Sequence, residues 1–243
     1  MRIPRIYSPQ SISIGDLIPL EQGPSHHLSS VLRMTAGQQV ALFNGLGGEY
    51  RGELVEVRKG FVRVQINAFE AIDRESPLHI HLAIGLSRGE RMDWIVQKAT
   101  ELGVAEITPL FTQRCEVKLS AERLAKKTRH WQQVAISACE QCRRNKLPII
   151  NPASPLPQWL PNCTQDLKLV MHHRANTQLK DLRQQTASVC LLIGPEGGLS
   201  DQEIEDATHQ GFRALAMGPR VLRTETAPVA AISILQAQWG DLQ

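Results

Sequence analysis

Two short segments near the C-terminus contain the residue types best suited to holding a small ligand. Loop A, residues 194–198, reads Gly-Pro-Glu-Gly-Gly, and loop B, residues 218–227, reads Gly-Pro-Arg-Val-Leu-Arg-Thr-Glu-Thr-Ala. The small glycines of loop A leave its main-chain N–H and C=O groups open to a ligand. Loop B adds guanidinium, carboxylate, hydroxyl and apolar groups. Each loop alone is typical of a structural turn, but the pair predicts a binding pocket.

The elements before these loops predict where the loops lie. Loop A follows the apolar run 189–193 and loop B follows 212–217, and both runs are typical of buried strands. In open α/β sheets, ligands bind at the carboxyl ends of the strands, so we expect the loops to share one edge. Ser200 and Glu203 predict a capping box for a helix behind loop A. The N-terminus of that helix would favour an anionic group.

The pattern along the chain predicts two domains with a boundary after residue 72. Residues 1–72 contain short strand-like runs separated by turn residues and one helical stretch, which is typical of a small β-barrel. Residues 73–243 alternate between strand and helix patterns, which predicts an α/β fold with a parallel sheet and helices on both faces. The polar segment 71–77, which ends in Pro77, separates the two patterns.

Bulk composition excludes several classes of protein. With 243 residues, 42% of them hydrophobic, the chain can bury a core. No apolar run is long enough to span a bilayer and no signal peptide begins the sequence, so we expect a cytoplasmic protein. Five cysteines, including the pair Cys139 and Cys142, do not suggest a disulfide scaffold or a zinc site. His79 and His81 share a strand face, but the sequence offers no evident third ligand for a metal.

Charge and missing motifs narrow the possible ligands. Residues 118–146 contain eight basic side chains against Glu122 and Glu140, a surplus that suits either a polyanion or a solvated helix face. The sequence has no phosphate-binding G-x-x-x-x-G-K-[ST] motif, no dinucleotide-binding G-x-G-x-x-G motif and no G-x-S-x-G hydrolase motif. The usual nucleotide-binding folds and the common Rossmann-like methyltransferases are therefore not supported.

Several segments together resemble one known family. The chain resembles the RsmE-type 16S rRNA uracil-N3 methyltransferases of the SPOUT superfamily over essentially its whole length. The most specific segments are residues 192–198 and 222–227, which read Leu-Ile-Gly-Pro-Glu-Gly-Gly and Leu-Arg-Thr-Glu-Thr-Ala. Further matching segments are residues 2–5, 31–34, 87–92 and 101–103, Glu140-Gln141-Cys142, and Arg144.

This resemblance implies a fold and an activity. The N-terminal domain would be a PUA-like β-barrel that binds RNA, and the second would be a SPOUT domain with a trefoil knot. The cofactor would be S-adenosylmethionine, and the protein would be a homodimer without a metal. The enzyme would methylate N3 of a uridine in the decoding region of 16S rRNA, in the small ribosomal subunit.

The resemblance and the loops also predict site residues. The catalytic candidates are Arg223, which would stabilise the uracil anion, and Glu196, which would act as a base or orient loop A. Arg223 could instead only pair with Glu225. The predicted cofactor-binding residues are His172, Ile193, Gly194, Pro195, Glu196, Gly197, Met217, Gly218, Val221, Leu222, Arg223, Thr224, Glu225, Thr226 and Ala227. The predicted RNA contacts are Arg2, Arg5, Arg88, Arg91, Arg114 and Arg144.

Two other functions remain open on the sequence. One is methylation of another rRNA site or of tRNA by the same type of enzyme. The other is a non-catalytic RNA-binding factor for ribosome assembly with a degenerate pocket. The intact motifs of loops A and B argue against the second.

Overall fold

The computed structural model of the chain describes residues 3–117, 119–175, 177, 182 and 185–242. It divides into two compact units. The first comprises Met1–Glu75 together with Cys139–Leu147, and the second comprises Ser76–Ala138 together with Pro148–Gln243.

The first unit is built on a five-stranded sheet. Its strands are β1 (Arg5–Tyr7), β2 (Leu17–Pro19), β3 (Gln39–Phe43), β4 (Glu49–Arg58) and β5 (Phe61–Glu70), in the order β1-β3-β4-β5-β2. The β1–β3 pair is parallel, and the other pairs are antiparallel. A short helix, α1 (Gln22–His26), continues into a wider π-helical turn, His27–Val31.

The core of the first unit follows from the two-residue repeat of its strands. On β5, Val62, Val64 and Ile66 are buried, as the alternation in the sequence predicts. Gly52 lies where the pairing of β4 and β5 shifts register, and a Cβ there would stand 2.5 Å from Val64 and 2.7 Å from the Gln65 carbonyl. Only glycine therefore permits this close approach of the strands.

The segment Cys139–Leu147 joins the first unit through buried polar contacts, whereas the sequence pattern had grouped it with the second domain. The Arg5 guanidinium donates to the Cys139 carbonyl at 2.8 Å and pairs with Glu49 at 3.1 Å. The Arg144 guanidinium pairs with Glu75 at 2.6 Å. Side chains of both arginines are only 6% exposed. Pairing between residues so distant in sequence is not visible in local patterns.

The second unit is a parallel sheet with helices. Its strands are β6 (His79–Gly85), β7 (Glu106–Phe111), β8 (Ile149–Ile150), β9 (Ser154–Pro155), β10 (Leu167–Met171), β11 (Ser188–Ile193) and β12 (Arg213–Leu215). The strand order is β12-β10-β11-β6-β7-β8, β9 also pairs with β7, and every pairing is parallel. The helices are α2 (Arg91–Glu101), α3 (Ala121–Cys142), α4 (Leu156–Trp159), α5 (Asp201–His209) and α6 (Thr226–Trp239), and the last four residues of α3 belong to the first unit.

Alternate residues of the central strand β11 face two separate core layers. Leu191 packs in one layer with Ile95 of α2 and Ile232 of α6. Leu192 packs in the other layer with Ala207 of α5. A sheet covered on both faces favours apolar residues at successive positions, which explains the apolar runs 82–84 in β6 and 189–193 in β11. The predicted α/β fold with a parallel sheet is confirmed for the second unit.

Candidate active site

A cleft of about 630 Å³ opens at the carboxyl ends of β10, β11 and β12. Because these strands are parallel, the segments that follow them leave the sheet at the same edge. Loops A and B both line the cleft, together with the His172-His173-Arg174 segment that follows β10.

The structure places all but one of the predicted cofactor-binding residues on this cleft. The exception is Thr226, whose main-chain N–H donates to the Arg223 carbonyl at 3.0 Å where α6 begins. The cleft also has lining residues outside the predicted cofactor-binding set: Met171, His173, Arg174, Gly198, Leu199, Asp201, Ile204, Leu215 and Arg220. His173 and Arg174 follow β10, and the rule that ligands bind at the carboxyl ends of parallel strands could have found them.

Loop A folds tightly on itself and on the end of β6. The Gly198 N–H donates to the Pro195 carbonyl at 2.8 Å and closes a turn. A Cβ on Gly194 would stand 2.7 Å from the Gly198 backbone, and one on Gly85 would stand 2.4 Å from Pro195. Both glycines are therefore required by the packing of the backbone, and loop A has a fixed shape.

Contacts on both sides of loop A hold it in place. Arg114 Nη1 donates to the carbonyls of Gly197 and Leu199, each at 3.1 Å. The predicted capping box is present, because Ser200 Oγ accepts from the Glu203 N–H at 3.2 Å and Glu203 Oε2 accepts from the Ser200 N–H at 2.8 Å. Arg114, predicted as an RNA contact, thus has a direct role in the shape of the loop.

Glu196 accepts two hydrogen bonds through one oxygen. Its Oε1 lies 3.0 Å from the Arg88 N–H and 2.6 Å from Arg91 Nη1. Partial burial acts to raise the pKa of Glu196, but the N–H groups of Glu196 and Arg88 and the Arg91 guanidinium outweigh it, so the pKa is lowered. A carboxylate held in its charged form is a weak proton acceptor. The contacts therefore favour a loop-orienting role for Glu196 over a role as base.

Loop B presents Arg223 to the cleft, where no described residue pairs with its charge. The Arg223 carbonyl accepts from the Thr226 and Ala227 N–H groups. Its guanidinium has no acceptor within the part of the chain that the structure describes. Glu225, its expected partner in the purely structural interpretation, instead lies 3.8 Å from Arg91 Nε. The structure therefore leaves the Arg223 guanidinium available for a ligand.

The environment of the histidine beside β10 disfavours its charged form. Partial burial lowers the pKa of His172, and the neighbouring His173 and Arg174 act in the same direction, whereas Asp201 acts to raise it. The His172 ring therefore offers the cleft an apolar and hydrogen-bonding surface.

The predicted RNA contacts separate into three groups. Arg88, Arg91 and Arg114 are exposed, and Arg88 pairs with the exposed Glu116 at 2.9 Å. Arg5 and Arg144 lie in the buried contacts of the first unit, so the RNA role predicted for them is corrected to a structural one. Arg2 lies outside the described residues.

The histidine and cysteine patterns form no metal site among the described residues. His81 hydrogen-bonds to Thr108 at 2.7 Å and lies 3.4 Å from Glu106, and burial lowers its pKa. Cys139 and Cys142 are not joined in a disulfide. Within the same described ranges, no helix combines the length and apolar character needed to cross a bilayer.

Comparison with known proteins identifies the class to which this fold and cleft belong. Residues 74–236 match the RNA methyltransferase domain family, and residues 25–67 match the RNA methyltransferase PUA domain family. The chain is therefore a PUA-containing RNA methyltransferase.

Individual relatives narrow this class to one family. The ribosomal RNA small subunit methyltransferase E of Buchnera aphidicola from Schizaphis graminum is 39% identical, over 99% of this chain and 98% of the relative. The protein of that name from Bacillus subtilis is 33% identical, over 88% of this chain and 87% of the relative. The chain belongs to the family of ribosomal RNA small subunit methyltransferases E.

Two solved structures share the whole fold. The Neisseria gonorrhoeae enzyme of this family, bound to S-adenosylmethionine, superposes with a TM-score of 0.94 at 37% identity over all of both chains. A Legionella pneumophila methyltransferase with the bound cofactor SAM superposes with a TM-score of 0.97 at 45% identity, again over all of both chains.

Proposed function

We propose that this chain uses S-adenosylmethionine to methylate N3 of a uridine in the decoding region of 16S rRNA. The observation that carries the proposal is the cleft formed by loops A and B, which has the shape and chemistry of a small-ligand site at the carboxyl edge of a parallel sheet. The family membership of the chain and the cofactor bound to its solved relatives support the same proposal.

The residues of the cleft fit this cofactor. Ile193, Met217 and Leu222 supply apolar surface for an adenine ring. Gly218 has a positive φ of 69° and open space where a Cβ would stand, so a ligand can approach its main chain closely. The carboxylates of Asp201 and Glu225 suit the positive charges of the methionine part.

When bound, the cofactor supplies an electrophilic methyl group, and the chain must then prepare the nucleophile. Uracil N3 carries a proton near neutral pH. This proton would pass to solvent, and its loss leaves negative charge on the neighbouring carbonyl oxygens. Arg223 would place its guanidinium against such an oxygen and stabilise this anion. Glu196 would hold loop A rather than remove the proton, because its carboxylate already accepts from Arg88 and Arg91.

Exposed basic residues suit the RNA phosphates. Arg174 and Arg220 line the cleft, and neither guanidinium has an acceptor among the described residues. Arg123, Lys126 and Arg129 follow at three-residue spacing on α3 and are exposed. Such charges bind a polyanion by releasing its counterions. The proposal includes a cytoplasmic homodimer that acts on the small ribosomal subunit, with the PUA-like unit as a second RNA-binding surface.

The test is methyl transfer from labelled S-adenosylmethionine to small subunits from a strain that lacks this modification, followed by nucleoside analysis. We expect the label in N3-methyluridine from 16S rRNA. Label in another nucleoside or in tRNA would contradict the proposed substrate. Cofactor binding without any transfer to rRNA or tRNA would instead support a non-catalytic RNA-binding factor.

A further inference from the structure

Arg91 lies between the two loops of the cleft. It is the first residue of α2, and its guanidinium uses different nitrogens toward two carboxylates. Nη1 lies 2.6 Å from Glu196 Oε1 on loop A, and Nε lies 3.8 Å from Glu225 Oε2 on loop B. A guanidinium suits such a position because its planar group carries several N–H donors, which can donate to two acceptors in different directions.

The surroundings of Arg91 distinguish it from an ordinary solvated charge. Its side chain is 43% exposed, but both carboxylates that it meets are less exposed, Glu196 at 35% and Glu225 at 23%. Glu196 also accepts from the Arg88 N–H, so the carboxylate is fixed from the side of β6 as well. Without Arg91, the two loops would face each other with two carboxylates that have lost their shared cation.

We propose that Arg91 is a positioning residue that ties loop A to loop B and so holds the cofactor cleft in its binding shape. This replaces the RNA contact that the sequence predicted for Arg91. The proposal rests on the proposed function, because it assumes that S-adenosylmethionine is the ligand of the cleft. An isolated exposed ion pair stabilises a fold little. The expected effect is therefore on the relative placement of the loops and not on global stability.

The test compares Arg91→Gln and Arg91→Lys with Lys98→Gln as the matched control. Lys98 lies on the same helix and pairs with Glu101 at 2.9 Å, but neither residue lines the cleft. Calorimetry measures the Kd for S-adenosylmethionine, steady-state assays with small subunits measure KM for RNA, and thermal unfolding reports the fold. We expect Arg91→Gln to raise the cofactor Kd about tenfold with KM for RNA unchanged. We expect Arg91→Lys to recover part of the affinity and Lys98→Gln to match the wild type.

A second pair of variants tests how Arg91 acts. If Arg91 acts through Glu196, the combined variant Arg91→Gln/Glu196→Gln raises the cofactor Kd by a smaller factor than the product of the factors for the two single variants. Glu225→Gln should also weaken cofactor binding, because it removes both the contact with Arg91 and a carboxylate that faces the cleft. Arg91→Lys keeps the proposal testable if Arg91→Gln unfolds the protein.

The outcomes separate this inference from the proposed function. An unchanged cofactor Kd in Arg91→Gln, with a higher KM for RNA and a weaker salt dependence, would overturn the positioning role and restore the RNA contact. A wild-type protein that does not bind S-adenosylmethionine would overturn the proposed function itself.

Discussion

At the scale of single residues, the guanidinium of Arg223, which meets no acceptor among the described residues, is the group best placed to stabilise charge in the cleft. We expect Arg223→Ala to lower kcat about 100-fold, because loss of one such donor typically costs two to three orders of magnitude. The Kd for S-adenosylmethionine should change little. The measurement is single-turnover methylation of small subunits together with calorimetry.

Arg213 offers a matched control for that variant. It is an exposed arginine on β12 outside the cleft, so Arg213→Ala should retain the wild-type rate. Undiminished methylation by Arg223→Ala, in a protein that folds and binds cofactor normally, would remove Arg223 from the mechanism.

Glu196 gives cofactor binding a pH dependence with a defined sign. The pKa of Glu196 is below the ordinary value of 4.5. The contribution of its charged form to cofactor binding is therefore complete above pH 4.5 and is lost as the pH falls through the lowered pKa. We therefore expect a constant Kd for S-adenosylmethionine near neutral pH and weaker binding in acid. In Arg91→Gln the Glu196 pKa should rise, which moves the loss to higher pH.

The Glu196→Gln variant is the control for this profile, measured by calorimetry across the acid range. This variant lacks the titrating carboxylate, so its affinity for S-adenosylmethionine should not fall at the pH where the wild-type affinity falls. The same acid profile in Glu196→Gln and in the wild type would assign the titration to a different group.

At the scale of elements, the capping box behind loop A couples helix stability to the cleft. Ser200 caps α5, and Glu203 also accepts from the Gln113 N–H at 2.7 Å. We expect Ser200→Ala to lower the free energy of unfolding by about 1 kcal/mol, because one N-terminal N–H of the helix loses its acceptor. Urea denaturation measures this change.

Thr208 serves as the comparison on the same helix. Its hydroxyl donates to the Ile204 carbonyl at an exposed position, so Thr208→Ala should be close to neutral. If both substitutions lowered the free energy of unfolding equally, the capping hydrogen bond of Ser200 would add no stability beyond that of an ordinary exposed hydroxyl group.

The elements also indicate what the sequence can predict. The apolar run of β11 and the capping box at Ser200 were both predictable, because each depends on local periodicity or capping. Strand β2, Leu17–Pro19, was not predicted, since three residues that end in proline give no repeat to detect. Loop B alone was typical of a structural turn, and only the structure pairs Glu225 with Arg91 and leaves Arg223 without an acceptor among the described residues.

At the scale of the whole molecule, the charge pattern of the sequence was a poor guide to function for some residues. Counting basic residues grouped Arg5 and Arg144 with the RNA contacts, but both lie in buried ion pairs of the first unit. Burial of a charge depends on partners such as Glu49 and Glu75, which lie far away in sequence. Only a folded structure reveals such pairs.

Those buried pairs predict an effect on stability. Removal of Glu75 takes away the carboxylate that pairs with the buried Arg144 guanidinium, so we expect Glu75→Ala to lower the free energy of unfolding by about 3 kcal/mol. Lys146→Gln, which breaks an exposed pair with Asp73, should have almost no effect. Chemical denaturation of both variants measures the difference, and a Glu75→Ala protein as stable as Lys146→Gln would rule out a structural role for the buried pair.

The most direct measurement of the central claim is hydrogen–deuterium exchange of the wild-type protein with and without S-adenosylmethionine. If loops A and B form the cofactor site, peptides covering residues 193–199 and 217–227 should exchange more slowly when the cofactor is present, because the ligand orders these loops and shields their N–H groups. Peptides from β3 to β5 of the first unit should not change. Unaltered exchange in both loops at saturating cofactor, or protection confined to other segments, would contradict the account.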